Sequence, residues 1–245
     1  MEKEKAYKLL AVQENISNKE AKSLIDRGLV YVGAKKLMIA RGNIGVKTVF
    51  KVQKIEKAKI IFENNDLIVV DKPAFINSDE IVRQFGKVKL LHRLDRETSG
   101  VLMLVKNEEF QKKAIQEFKR DRVYKEYTAW VDGLVAEGFE INKPIVTNKR
   151  GNKAYSKVDN FGKPACTEVF VEAISGKKSK LKCIIHNGRT HQIRVHLQSA
   201  GLGIIGDEQY GGRRYSRVML HARKVILLGL TFEAKEPALF KHFEA

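Results

Sequence analysis

The run His92-Arg93-Leu94-Asp95-Arg96-Glu97-Thr98-Ser99-Gly100 sets a short acid, Asp95, between two arginines and leads into the apolar stretch Val101-Leu102-Met103-Leu104-Val105. That order reads as a loop charge held at the mouth of a buried strand. A cation within about 4 to 6 Å favours the ionised form of a carboxylate, and an ionised carboxylate with a free oxygen can act as a nucleophile or a general base. Two further segments carry complementary groups. In Lys125-Glu126-Tyr127 the tyrosine offers a flat stacking surface and a hydroxyl able to meet a proton in transit. The third segment, Gly188-Arg189-Thr190-His191-Gln192-Ile193-Arg194-Val195-His196-Leu197, brings two arginines and two histidines close together.

Local patterns name the elements that must position these groups. Residues 60–73 read as two strands around an Asn64-Asn65-Asp66 turn, closed by Pro73. From Glu109 to Lys119, Phe110, Ala114 and Phe118 recur at i, i+4 and i+8 and predict an amphipathic helix. Between Arg122 and Val131 the period becomes two: Val123, Lys125, Tyr127, Ala129 and Val131 share one strand face, and Tyr124, Glu126, Thr128 and Trp130 the other. In the third segment Thr190 is placed to cap a helix whose apolar side is Ile193, Leu197 and Ala200, with Gly201 as its stop.

The first fifty or so residues read as a separate module. Ser17-Asn18-Lys19-Glu20 fits a capping box before a helix with Ala21, Leu24 and Ile25 on one side and Gly28 at its end. A short strand, Leu29-Val30-Tyr31-Val32, then turns at Gly33 into Lys35-Lys36. The charged stretch Lys51 to Lys59 is the expected linker, which divides the chain into 1–53 and 54–245.

Composition bounds the partners. With 245 residues, 43% hydrophobic and 31% charged, the chain can bury a core and spans one or two domains. It has no apolar run of about 18 residues and no signal-like segment after Met1-Glu2-Lys3-Glu4-Lys5, so a cytoplasmic protein without a membrane partner is expected. Cys166 and Cys183 form no CxxC pair and are expected to be buried, inert thiols, while His186, His191 and His196 are spaced by five, unsuited to a helical metal pair. No metal is expected. The formal net charge of +17 suits a polyanion, and nucleic acid leads. Gly201-Leu202-Gly203-Ile204-Ile205-Gly206 fits G-x-G-x-x-G, but it follows a predicted helix and Ile226 stands where an acid is required, so a dinucleotide site is rejected.

All fixed positions of the HRLD-x-x-TSG run, the Lys125-x-Tyr127 pair and Gly188 to His196 resemble the signature of the RluA family of pseudouridine synthases. Gly206-Asp207, Tyr210-Gly211-Gly212 and Leu220-His221-Ala222 resemble further segments of it, whereas Leu202 and Gly203 depart from the family's usual Gly-His-Pro turn. The resemblance implies an α+β protein with a mixed, largely antiparallel catalytic sheet, flanking helices and a catalytic cleft. It also implies conversion of uridine in RNA to pseudouridine with no cofactor. Asp95 is then the catalytic carboxylate, Tyr127 sits against the base, and Arg194 pairs with Asp95. Arg189 becomes a phosphate contact and Arg93 an anchor for phosphate or a filler of the vacated stack, with His92, Arg96 and Lys125 as further RNA-facing candidates.

The N-terminal order is similar to the S4-like RNA-binding module, a small αβ domain, with Lys22, Arg27, Lys35 and Lys36 as its RNA-facing candidates; Lys8 and Asn18 stand where that module usually has arginines. Ribosomal RNA is the leading substrate and tRNA the second, for a monomeric enzyme. Two rivals make different demands. A non-catalytic RNA chaperone would bind without forming product. A glycosidase would need a carboxyl pair about 5 to 9.5 Å apart, for which Glu97 is the near companion of Asp95.

Overall fold

The computed structural model of the chain describes residues 2–33, 35–151 and 153–241. It divides into two compact units, Met1–Glu56 and Lys57–Ala245. The first contains β1 (Lys3–Lys5), α1 (Ala6–Glu14), α2 (Asn18–Asp26), β2 (Val30–Val32), β3 (Lys35–Lys36), β4 (Asn43–Gly45) and β5 (Lys51–Val52). The Ser17 side chain accepts the Glu20 N–H at 3.1 Å, which satisfies one of the free donors at the start of α2. Ala21 and Ile25 then pack on Ala6, Leu10 and Ala11 of α1, with Val30 and Phe50 closing this small core. Strand β1 pairs antiparallel with β4, and β2 lies between β3 and β5.

The second unit runs β6 (Lys59–Glu63), β7 (Leu67–Lys72), α3 (Ser78–Val82), β8 (Lys89–Leu90), β9 (Ser99–Val105), α4 (Glu108–Lys119), β10 (Tyr124–Asp132), β11 (Phe139–Asn142), β12 (Ile145–Arg150), β13 (Lys153–Val158), β14 (Cys166–Ser175), β15 (Lys178–Ile185), α5 (Gln192–Ser199), β16 (Leu220–Leu227), β17 (Leu230–Glu233) and α6 (Ala238–Lys241). Among the described residues ten strands form one mixed sheet in the order β11-β14-β15-β10-β16-β9-β7-β6, with β17 added beside β16 and β8 beside β9. Its pairings are antiparallel except β9 with β16, which run parallel through His221 opposite Ser99 and Ala222 opposite Gly100. Gly100 has φ +114, and a Cβ there would lie 2.1 Å from the Ala222 carbonyl oxygen, so this junction admits only glycine.

All of β9 is buried, as its unbroken apolar run requires. Helix α4 covers one face: Ala114, flanked by Phe110 and Phe118, meets Val101, Met103 and Val123. The helix starts one residue earlier than its periodicity suggests, because the Asn107 side chain accepts the N–H groups of Glu109 and Phe110 at 2.8 and 3.2 Å. Strand β10 is buried from Lys125 to Val131, so the sheet is covered on both faces here, and a bulge against β16 falls between Glu126 and Tyr127.

Two expectations need correction. Helix α5 begins at Gln192, with His191 rather than Thr190 at the N-cap; His191 takes a left-handed φ of 56 and makes no side-chain cap. The turn closes instead through the Gln192 side-chain oxygen, which accepts the Arg189 N–H at 2.9 Å. Cys183 is buried, but Cys166 is only half-buried, because it opens β14 beside the sheet-edge strand β11. Among the described residues no helix is long and apolar enough to cross a membrane.

Candidate active site

The loop between β8 and β9 carries Asp95 and is clamped from several sides. The Ser78 hydroxyl accepts the Leu94 N–H and donates to the Leu94 carbonyl, both at 3.1 Å. On the α4 side the His92 ring stacks on Phe118, and its Nε2 accepts the Met103 N–H at 3.2 Å. From below, Lys72 of β7, fully buried, directs Nζ at the carbonyls of Pro73 and Ile76, each 2.9 Å away, and Arg96, 3.4 Å away. Three protons meet three acceptors, so the ammonium ties two loops together. Burial pulls Lys72 down to about 7, with the charges of Glu97 and Asp95 opposing and that of Arg217 assisting.

The partner of Asp95 comes from α5. Arg194 Nη1 donates to Asp95 Oδ2 at 3.2 Å, while His191 Nε2 stands 3.8 Å from Oδ1. Arg194 is gripped more tightly by Asp207, through Nε to Oδ2 at 2.6 Å and Nη2 to Oδ1 at 2.8 Å. Its Nη1 also lies 4.0 Å from Glu97, and the guanidinium rests 4.9 Å over the Tyr210 ring. Burial alone would lower the Arg194 pKa, but Asp207, Asp95 and Glu97 together raise it, so the cation is permanent. Fork-shaped pairing of this kind fixes both charge and direction.

The arginines flanking Asp95 do not hold it. Arg93 is exposed and pairs with Asp79 at 3.0 Å, and Arg96 turns to Glu97 at 2.8 Å. Neighbours along a turning loop point in different directions, and the cation that faces the carboxylate arrives from a distant helix. Glu97 is held ionised: burial pushes its pKa up, but Arg96 and Arg194 outweigh that and hold it below the usual range. A glycosidase pair needs a carboxyl kept protonated as general acid, and Glu97 is the opposite.

Tyr127, on β10, is 8% exposed. Burial first, and the Asp95 charge second, push this phenol above its ordinary pKa, so it is a neutral O–H within the field of Asp95. Asp95, Tyr127 and Arg194 are thus brought together from a loop, a strand and a helix.

Other candidates lie elsewhere. His92 and Lys125 have internal roles: Lys125 is 5% exposed and donates to the Asn187 carbonyl at 2.9 Å, and burial draws it down to about 8. A long side chain on a strand covered from both sides has no route to solvent. Arg189 Nε donates to the Pro164 carbonyl at 3.0 Å, tying its turn to the loop before β14. In the first unit Lys35 is exposed, and Lys22 Nζ lies 4.1 Å over the Tyr7 ring. Lys36 packs its stem beside Gly28, and Arg27 is half-buried at the end of α2.

Sequence reasoning missed Lys72 and the grip of Asp207 on Arg194. The only trace of them was Pro73 beside a lysine, and an acid after Gly206. Among the described residues no group of three His, Cys, Asp or Glu converges as metal ligands would.

A family model described as RNA pseudouridylate synthase matches residues 66–199. An uncharacterized RNA pseudouridine synthase of Helicobacter pylori (strain J99) is 52% identical over 97% of this chain and 99% of that protein. The ribosomal large subunit pseudouridine synthase D of Pasteurella multocida is 24% identical, over 80% of this chain and 69% of its own length. Among solved structures, human RNA pseudouridylate synthase domain containing 1 aligns with a TM-score of 0.64 at 28% identity, covering 74% of this chain and 84% of that one.

Proposed function

This chain belongs to the RNA pseudouridine synthase family, and we propose that it converts a specific uridine of large-subunit ribosomal RNA to pseudouridine with Asp95 as the catalytic carboxylate. One observation carries the assignment of Asp95: Oδ2 is tied to Arg194 at 3.2 Å, while Oδ1 has no partner within hydrogen-bond distance among the described residues. The side chain keeps 23% exposure, enough for a ligand to touch it.

The reaction breaks the bond from ribose C1′ to uracil N1, turns the base, and joins C1′ to C5; the C5 proton is lost and N1 gains one, so the net change is an isomerisation. No electrons or external group are consumed. Asp95 Oδ1 serves either route open to a carboxylate at this sugar: attack at C1′ with the uracil leaving as its N1 anion, after which C5 displaces the carboxylate, or removal of the C2′–H proton as the uracil leaves, the C1′=C2′ bond so formed taking the proton back when C5 joins C1′. The target must leave its stack to present C1′, at a few kcal/mol. Tyr127 supports the extruded base and its hydroxyl is a relay for the proton lost from C5; burial first, and the Asp95 charge second, hold that phenol protonated. Arg194, kept charged and oriented by Asp207, holds Oδ2 throughout.

The named relatives include ribosomal large subunit synthases D and C, which favours ribosomal RNA over tRNA as the substrate. Residues 1–53 act as the S4-like RNA-binding module in this reading and 54–245 as the catalytic domain. Support comes from the Ser17-capped helix followed by the lysine-bearing strand pair, and from the net charge of +17.

Chemical mapping of pseudouridine in RNA from cells lacking the gene tests all of this. A defined site in large-subunit ribosomal RNA should be lost, and it should be restored by the wild-type chain but not by Asp95→Asn, which still binds the RNA. Restoration by Asp95→Asn would remove Asp95 from the chemistry. Loss confined to tRNA would move the substrate, and no lost site would favour the chaperone.

A further inference from the structure

His191 has a fixed orientation and a fixed proton. Its Nδ1 lies 2.7 Å from the Tyr210 hydroxyl, and that hydroxyl oxygen already accepts the Ser156 N–H at 2.8 Å. Tyr210 is 1% exposed, so its own proton has one destination, His191 Nδ1. Nδ1 is therefore the acceptor and the neutral ring carries its proton on Nε2. Burial holds the imidazolium below its ordinary pKa, with Asp95 opposing and Arg194 assisting, which agrees with a neutral ring. The backbone at His191 is left-handed, φ 56, and its Nε2 lies 3.8 Å from Asp95 Oδ1.

That gap is too long for a hydrogen bond. A donor and an acceptor facing each other across it suit a group that both accepts and donates, within ordinary hydrogen-bond distance of each. A hydroxyl has that character. We infer that His191 Nε2–H and Asp95 Oδ1 together bind the ribose 2′-hydroxyl of the target uridine, which makes His191 a substrate-binding residue that reads ribose against deoxyribose.

The inference rests on the proposed role of Asp95 at C1′, and the connectivity of the sugar selects the hydroxyl. With C1′ beside Asp95, the nearest oxygen carrying a proton is the 2′ one; within a chain the 3′ and 5′ oxygens are phosphodiesters with no proton to give. The 2′-hydroxyl is also the group by which a protein tells RNA from DNA.

Two variants separate this role from support of the loop. His191→Asn tolerates a left-handed backbone and keeps an atom near Nδ1 for Tyr210, but it has nothing at the Nε2 position. In His191→Gln the amide nitrogen reaches that position. The probes are two forms of the RNA found by the mapping above, carrying at the target either pseudouridine or 2′-deoxypseudouridine; neither reacts further, so dissociation constants are read directly.

The wild type should bind the ribose form about tenfold more tightly, the worth of a hydrogen bond lost from a polar pocket. In His191→Asn the preference should fall to about two- or threefold, since Asp95 alone still accepts, and His191→Gln should regain most of it. An equal preference in wild type and His191→Asn, or none in the wild type, overturns the inference. Wild-type conversion of the uridine is scored separately, so this failure is distinct from failure of the proposed function.

Discussion

At Arg194 two carboxylates share one guanidinium unequally. Asp207 takes the two shorter bonds and Asp95 the longer one, so Asp207 bears most of the structural duty and leaves Asp95 loosely held. Arg194 and Asp207 are 3% and 1% exposed, which makes the loss of either costly, since the survivor is a buried charge. Asp207→Ala should lower stability by about 3 to 5 kcal/mol in urea unfolding and slow turnover in whatever fraction remains folded. A loss under about 1 kcal/mol, the range of exposed pairs, would show that Asp207 is not the anchor. The types and order of Asp95, Tyr127 and Arg194 were legible in the sequence. Their pairing was not fully so, because spacing says nothing about direction: Arg93 and Arg96 are nearest to Asp95 along the chain yet turn to Asp79 and Glu97. His92 and Lys125 read as RNA-facing groups, and only the packing of the loop before β9 and of β10 reveals their internal bonds.

At the scale of elements, the parallel junction of β9 and β16 decides where the Asp95 loop ends. Beside Gly100, Ser99 Oγ lies 2.8 Å from His221 Nδ1, and Arg217 Nη2 donates to Ser99 Oγ at 2.7 Å. The Ser99 proton then goes to Nδ1, and Nε2–H donates to the Ala234 carbonyl at 3.3 Å, so His221 is neutral. Burial draws it from 6.5 down to about 4. Between those values the unfolded chain binds a proton that the folded chain refuses. The contribution is therefore intact above about 6.5 and is lost as pH falls toward about 4, by up to roughly 3 kcal/mol. His92, drawn down to about 4 chiefly by burial, acts in the same direction. Unfolding midpoints measured from neutral pH down to the acid side should fall steeply in the wild type and less steeply in His221→Asn, which keeps an atom for Ser99; equal slopes would exclude His221. Periodicity revealed α4 and β10, where side-chain packing dictates the pattern. It misplaced the start of α5, where a left-handed backbone and the Gln192 side chain close the turn, and it did not resolve the β12–β13 hairpin, whose residues show no apolar alternation of their own.

Over the whole molecule the excess of 46 basic over 29 acidic residues is larger in effect than those counts suggest, because many acids are spent internally. Glu126, Glu172 and Glu236 converge on Arg223, with Lys180 beside Glu172 and Glu236, so this network spends three acids on two cations and stitches β10, β14, β15 and β16 together. The same holds for Asp207 and Glu97 at Arg194. What remains for a polyanion is exposed lysine and arginine, and Lys35 of the first unit is an exposed member of that set. Each phosphate neutralised releases counterions, so the logarithm of affinity should fall linearly with the logarithm of salt concentration, with about 0.7 to 0.9 of slope per contact. Lys35→Ala should weaken binding of every RNA alike and reduce the magnitude of that slope by about one contact, while the position of the pseudouridine is unchanged, because a phosphate contact carries no sequence information. Asp95→Asn, by contrast, should leave the slope as it is and abolish product. A salt slope identical in wild type and Lys35→Ala would remove Lys35 from the RNA-facing surface, and with it one of the four basic residues on which the RNA-binding reading of the first unit stands.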